Sequence, residues 1–262
     1  MPLIYLDDLR LSAEICGPVD GPAVVLLHAL GTNLSIWDQV VAQLPATCRI
    51  LRIDQRGHGA SDVPAAPYSM GGLIRDAERA MEHFGLRDAV VVGLSLGGLV
   101  AQGLAVKRLD LVRGMVLSNT AAKIGTAKIW ADRIADVRKH GLGTYADGAM
   151  QRMFGRNHAA MPGVDAVRSM LINTPVEGWT GCAAAIASAD FYTPTASLTL
   201  PTLVIAGAND GTTPPDLVRE TADLILGARL EIIRGAGHLP MVEKPWEYTA
   251  LITDFLRSIG QI

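Results

Sequence analysis

The segment Gly93-Leu94-Ser95-Leu96-Gly97-Gly98 directly follows the apolar run Ala89-Val90-Val91-Val92. A serine on a sharp turn between a buried strand and a helix has its hydroxyl pushed into an open site. Small residues two positions to either side are needed because strand and helix pass very close there. A serine among glycines is also an ordinary turn pattern; the strand before it and the helix after it favour a nucleophile. A helix starting at about Gly97 would aim its N-terminal amides at an anion forming beside Ser95.

A serine hydroxyl needs a base to take its proton. Six histidines are available: His28, His58, His83, His140, His158 and His238. Only His238, in Gly235-Ala236-Gly237-His238-Leu239-Pro240, follows the last expected strand on a loop able to reach back over the serine. The carboxylate that orients it belongs after a late strand, and Asn209-Asp210-Gly211 occupies that place. The other strand end, Ser118-Asn119-Thr120, carries no carboxylate, so Asp210 is the expected partner. Asp190 and Asp216 read as structural. The order Ser, Asp, His along the chain agrees with these roles. His238 would remove the serine proton while Asp210 fixes its tautomer and stabilises the imidazolium.

The developing oxyanion needs two amide donors, each contributing on the order of 3 kcal/mol to the transition state. The N–H of Leu96 is one; by position, the other is the N–H of Leu30 in His28-Ala29-Leu30-Gly31. His28 itself reads as a brace for this loop. Arg56-Gly57-His58-Gly59-Ala60-Ser61 reads as a tight turn whose polar side chains tie loops together.

These residues need a frame. Short apolar runs alternating with helical patterns predict a mostly parallel sheet covered by helices. The expected strands span residues 23–28, 49–54, 89–93, 112–119, 201–207 and 229–234, after an opening hairpin at 3–6 and 9–15. Their near-continuous apolar character fits strands buried on both faces. Ser69 can cap a helix with Leu73, Ile74, Ala77, Ala80, Met81 and Phe84 on one face, ended by Gly85. Pro245 should open the last helix. Residues 121–198 show no strong strand, only helical patterns interrupted by Gly141, Gly143, Gly155, Pro162, Pro175 and Gly181. They are expected to form a helical cap inserted into a core made of residues 1–120 and 199–262.

A chain of 262 residues suffices for one α/β domain with a modest insertion. Hydrophobic residues at 49% and charged residues at 19% argue against disorder. The net charge is −3 and no basic run stands out, which argues against nucleic acid or an anionic membrane as a partner. Cys16, Cys48 and Cys182 are odd in number, widely separated and without metal-ligand spacing, as expected of reduced thiols. The start, Met1-Pro2-Leu3-Ile4-Tyr5-Leu6-Asp7-Asp8, lacks the features of a signal peptide, and the apolar runs are too short to span a bilayer. A soluble, cytoplasmic protein is expected.

Taken together, the His28-Ala29-Leu30-Gly31 loop, Asp54-Gln55-Arg56-Gly57-His58-Gly59-Ala60-Ser61, the Ser95 turn, Asn209-Asp210 and Gly237-His238 resemble the α/β-hydrolase family over essentially the whole chain. The resemblance implies an eight-stranded, mostly parallel sheet flanked by helices. The fold is shared by esterases, lactonases, carbon–carbon hydrolases and perhydrolases, so it does not settle the substrate. A narrower resemblance is to 3-oxoadipate enol-lactonases of bacterial aromatic-ring degradation. It rests on Leu117-Ser118-Asn119-Thr120-Ala121-Ala122-Lys123-Ile124-Gly125, leading to Trp130 and Arg133. Leu203-Val204-Ile205-Ala206-Gly207-Ala208 and Thr212-Thr213-Pro214-Pro215 also look like that family. His28 departs from it, since a smaller polar residue is expected there.

This narrower resemblance implies hydrolysis of a five-membered enol lactone bearing a carboxymethyl arm, with no metal or organic cofactor. A small anionic lactone needs a cation in the site. Trp130 and Arg133 are three apart on a predicted helix over 129–134 and so share a face. Arg133 could pair with the carboxylate while Trp130 walls off the ring; an exposed arginine beside a core tryptophan is the competing reading. Arg152, Arg168 and Lys123 are rival cations, and Trp179 is expected in the cap core. Two other functions compete: another carboxylesterase or carbon–carbon bond hydrolase, and a non-catalytic ligand receptor. The three filled triad positions weigh against the receptor. Ser95 disfavours dehalogenases and epoxide hydrolases, which use an aspartate there.

Overall fold

In the computed structural model, residues 2–155, 161 and 163–262 are described; His158 and Pro162 lie outside them. Eight strands form one sheet: β1 (Leu3–Leu6), β2 (Leu9–Cys16), β3 (Ala23–Leu27), β4 (Arg49–Ile53), β5 (Ala89–Leu94), β6 (Val112–Ser118), β7 (Thr202–Gly207) and β8 (Arg229–Ile233). Their order across the sheet is β1-β2-β4-β3-β5-β6-β7-β8. The β1–β2 hairpin joins antiparallel to β4, and every later pairing is parallel.

Continuous apolar runs make this possible. Every residue of β3, β5 and β7 is buried, because helices cover both faces. Burying each valine of β5 contributes on the order of 2 kcal/mol. β8 departs from the expectation. It is the edge strand, pairs with β7 alone and leaves Arg229 and Ile232 exposed.

The helices, in chain order, are α1 (Asp38–Gln43), α2 (Met70–His83), α3 (Leu96–Lys107), α4 (Ala127–Phe154), α5 (Val164–Asn173), α6 (Val176–Ser188), α7 (Tyr192–Ala196), α8 (Pro215–Leu224), α9 (Pro240–Glu243) and α10 (Pro245–Ser258). Ser69 caps α2 by accepting from Gly72 N–H at 3.1 Å, and α10 opens on Pro245. Helix α3 starts at Leu96, one residue earlier than the expected Gly97.

Between β6 and β7 the chain runs through α4 to α7, with α4 packed on α5 and α6. Gly141 (φ +77°, ψ 168°) breaks α4, and Gly155 caps its end. Gly143 and Gly181, expected to interrupt helices, lie inside them. At Gly181 the reason is clearance, since a Cβ there would stand 2.7 Å from the Tyr68 ring.

The register brings the carboxyl ends of six strands, β3 to β8, to one edge. Leu27 pairs with Ile53 and Gly93, Leu94 with Ser118, Ser118 with Ile205, and Gly207 with Ile233. The loops after β3, β5, β6, β7 and β8 therefore open side by side, where ligands of parallel α/β sheets bind.

Candidate active site

Ser95 alone makes the turn from β5 to α3, with φ +53° and ψ −111°. Such a backbone costs on the order of 1–3 kcal/mol in a non-glycine residue and persists only where its surroundings hold it. Here Ser95 N–H donates to Ser118 O at 3.0 Å, and Thr120 Oγ1 donates to Ser95 O at 2.7 Å. The flanking glycines provide clearance. A Cβ on Gly93 would sit 2.3 Å from Gly97 O, and one on Gly97 would sit 2.2 Å from Leu27 O. Leu96 heads α3, so its N–H has no helical carbonyl to bond. Among the described residues, neither this N–H nor that of Leu30 has a protein acceptor, which leaves both free for an anion.

Asp210 and His238 come from the loops after β7 and β8 and are almost completely buried. His238 Nδ1–H donates to Asp210 Oδ2 at 2.7 Å. That tautomer leaves Nε2 as a lone pair on the opposite side of the ring. Asp210 also accepts from Thr212 N–H, Thr213 N–H, Thr213 Oγ1 and Asn119 Nδ2, at 2.7 to 3.0 Å. Burial by itself would raise the Asp210 carboxyl. The His238 imidazole, together with the bonds from Asn119 and Thr213, holds it below its ordinary value instead. A carboxylate kept charged in this way is suited to stabilise an imidazolium.

Ser95 and His238 line the same pocket. No hydrogen bond joins them in this structure. Contacts of this kind commonly tighten only in the substrate complex.

Two buried histidines brace the loop carrying Leu30. His58 Nε2 accepts from Gly31 N–H at 2.9 Å, and His28 Nε2 accepts from Gln55 N–H at 2.9 Å. His28 Nδ1–H donates to Ala29 O at 2.8 Å. Arg56 is bound through two nitrogens to the buried Asp76, at 2.5 and 2.7 Å, and Asp54 accepts from Leu34 N–H and Ala60 N–H. The segment from Asp54 to Ser61 thus ties loops together.

The pocket is in part open to solvent. Leu30, Trp130, Tyr145 and Trp179 contribute to walls that are mainly apolar, and Arg133 and Arg152 supply cations. Arg133 lies over Trp130, 4.9 Å from the ring centroid, and Arg152 lies 5.1 Å from that of Tyr145. Neither makes a salt bridge with another described residue. Lys123 and Arg168 pair with Asp190 and Asp147 and do not line the pocket. Among the described residues, no three His, Cys, Asp or Glu side chains come together as a metal site.

The structure therefore gathers Ser95, His238, Asp210, Leu30, Leu96, Trp130 and Arg133 at one end of the sheet. Sequence reasoning passed over three residues there. Asn119, set aside for lacking a carboxylate, bonds Asp210; its place at the end of β6, beside β5, was the available signal. Thr213 bonds the same carboxylate. Glu243 accepts from Gly237 N–H through both oxygens at 2.9 Å and from Leu239 N–H at 3.2 Å, which fixes the backbone on either side of His238.

Known proteins bear on this arrangement. The sequence profile of the alpha/beta hydrolase fold matches residues 22–245. The chain is 34% identical to the protein named 3-oxoadipate enol-lactonase 2 of Acinetobacter baylyi, over 99% of this chain and all of that one. Among solved structures, the enol-lactonase from Burkholderia xenovorans superposes with a TM-score of 0.93 at 32% identity, covering 98% of this chain and 100% of that one. A hydrolase from Pseudomonas aeruginosa superposes with a TM-score of 0.92 at 35% identity, with 97% of each chain covered.

Proposed function

This chain belongs to the α/β-hydrolase family and is a hydrolase, and from that premise we propose that it opens 3-oxoadipate enol-lactone to 3-oxoadipate. In this reading Ser95 Oγ attacks the ring carbonyl while His238 Nε2 takes its proton, and the N–H groups of Leu30 and Leu96 hold the oxyanion. The ring C–O bond breaks, and the enol oxygen leaves with the proton returned by the imidazolium. Tautomerisation to the ketone removes the tethered nucleophile and so prevents re-closure. Water then loses a proton to His238 and attacks the acyl-enzyme. The second product carboxylate forms, and the proton passes back to Ser95. Residues 1–120 and 199–262 supply this chemistry, and the inserted helices of 121–198 form a cap that reads the substrate. A cytoplasmic role in aromatic-compound catabolism belongs to the same proposal.

One observation carries the substrate: the unpaired Arg133 guanidinium stacked on Trp130, in the pocket that Ser95 and His238 also line. A carboxylate fits a cation so placed, and the names of the two enol-lactonase relatives support the choice. The test is to mix purified protein with the enol lactone and follow loss of its ultraviolet absorbance. The expected result is fast turnover with a strong preference over a neutral aryl acetate and a ring-fission dienoate. Losing a charge-assisted hydrogen bond worth about 1.5–3 kcal/mol, Arg133→Ala should raise KM about 10- to 150-fold. Equal rates on lactone and aryl acetate, or an unchanged KM in the variant, would reject the reading.

A further inference from the structure

Arg133 and Arg152 are nineteen residues apart on α4. In a straight helix their Cα atoms would be separated by about 28 Å. They nevertheless line one pocket, because Gly141 turns the chain between them in a conformation reserved for glycine. Neither guanidinium has a carboxylate partner among the described residues. Two unneutralised cations in a mostly apolar pocket exceed what one substrate carboxylate requires.

Arg152 differs from Arg133 in what its backbone does. The carbonyl of Arg152 accepts from Gly211 N–H at 2.9 Å, and that of Met153 accepts from His238 N–H at 2.6 Å. The first bond grips the residue after Asp210, and the second grips the base itself. The packing leaves no slack, since a Cβ on Gly237 would stand 2.1 Å from Met153 O. The last turn of α4 is therefore fastened to both loops that carry the acid and the base, and its Arg152 side chain reaches into the pocket.

We infer that Arg152 is a positioning residue through which an anionic group of the substrate sets the geometry of Asp210 and His238, so that the anion raises the rate as well as the affinity. The inference rests on the reading of Ser95, His238 and Asp210 as a working triad. An anion drawn to the guanidinium restrains the end of α4, and the two carbonyl bonds pass that restraint to the loops. Arg133, on the other side of the Gly141 break, contributes affinity alone.

Two esters differing only in one end group test this without the lactone: 4-nitrophenyl hemisuccinate, ending in a carboxylate, and 4-nitrophenyl butyrate, ending in a methyl. For the parent enzyme, kcat on the hemisuccinate should exceed that on the butyrate by about tenfold, within the usual range of coupling between sites. Arg152→Ala should bring the ratio of the two kcat values close to one, and Arg152→Lys should keep most of it. Arg133→Ala should raise KM for the hemisuccinate and leave the kcat ratio in place. If Ala at 152 loosens α4, Arg152→Gln serves the same comparison. A variant that slows both esters by the same factor shows a merely structural role and overturns the inference, as does a parent ratio near one. An enzyme inactive on the enol lactone that still shows the charge-dependent ratio would sink the substrate proposal and leave this one standing.

Discussion

His28 and His58 lie buried side by side beneath the Leu30 loop, their ring centroids 5.2 Å apart. Burial lowers His28 to about 4. Burial, with the His28 charge as the next cause, lowers His58 to about 3. Both rings are neutral acceptors in the native protein, whereas in the unfolded chain each titrates near 6.5. The perturbation is acid. Between pH 6.5 and 4 the unfolded state binds more protons than the native state, so stability is complete above about 6.5 and falls as the pH drops. At pH 5 each histidine costs about 2 kcal/mol relative to pH 8. Both are still neutral in the native state at that pH, so the losses add to about 4 kcal/mol, a large part of a typical domain stability of about 5–15 kcal/mol. Urea unfolding at pH 8, 7, 6 and 5, followed by the fluorescence of the buried Trp37, Trp130 and Trp179, measures it. The two histidines should contribute a slope near pH 5.5 that corresponds to close to two protons. His58→Gln, which keeps an acceptor for Gly31 N–H, should halve that slope. Stability that stays flat from pH 8 to 5, or a variant as steep as the parent, would refute the reasoning.

Three substitutions probe the site directly. Ser95→Ala should lower ester turnover by about 10⁴- to 10⁶-fold and abolish labelling by a fluorophosphonate; a labelled variant would rule out Ser95 as nucleophile. Asn119→Gly suits the backbone at φ +46° and removes the 2.8 Å bond to Asp210. A buried hydrogen bond of about 1–3 kcal/mol predicts a drop in kcat of about 5- to 150-fold with KM little changed; a change in KM alone would count against the role. Gly97→Ala would place its Cβ 2.2 Å from the Leu27 carbonyl oxygen, which has no room to yield. Overpacking of this kind costs about 3 kcal/mol and should lower Tm by about 6–12 °C; an unshifted melt would show that strand and helix are not locked together there.

Much of this protein is written locally in its sequence. The apolar runs at β3, β5 and β7 mark buried strands because a strand covered on both faces tolerates little else. Ser95 and Asp210 sit on short turns after two of these runs and His238 follows β8, and the parallel order of strands brings those turns to one edge. The β8 pattern was weaker because an edge strand is half exposed. The site's supporting contacts had no local signal. Asn119 meets Asp210 only because β6 lies beside β7 in one particular register. Glu243 closes on the two amides beside His238 because α9 turns back on the loop before it.

The choice among the cations shows the division best. Four were candidates from the sequence, and only the break at Gly141 and the packing of α4 bring Arg133 and Arg152 to the pocket, while Lys123 and Arg168 pair on the surface. Periodicity and turn chemistry act over a few residues, and so the amino-acid sequence by itself determined the strands and the turns that carry Ser95, Asp210 and His238. Which side chains meet across the pocket depends on register, helix breaks and many weak contacts acting together, and only the tertiary structure decided that.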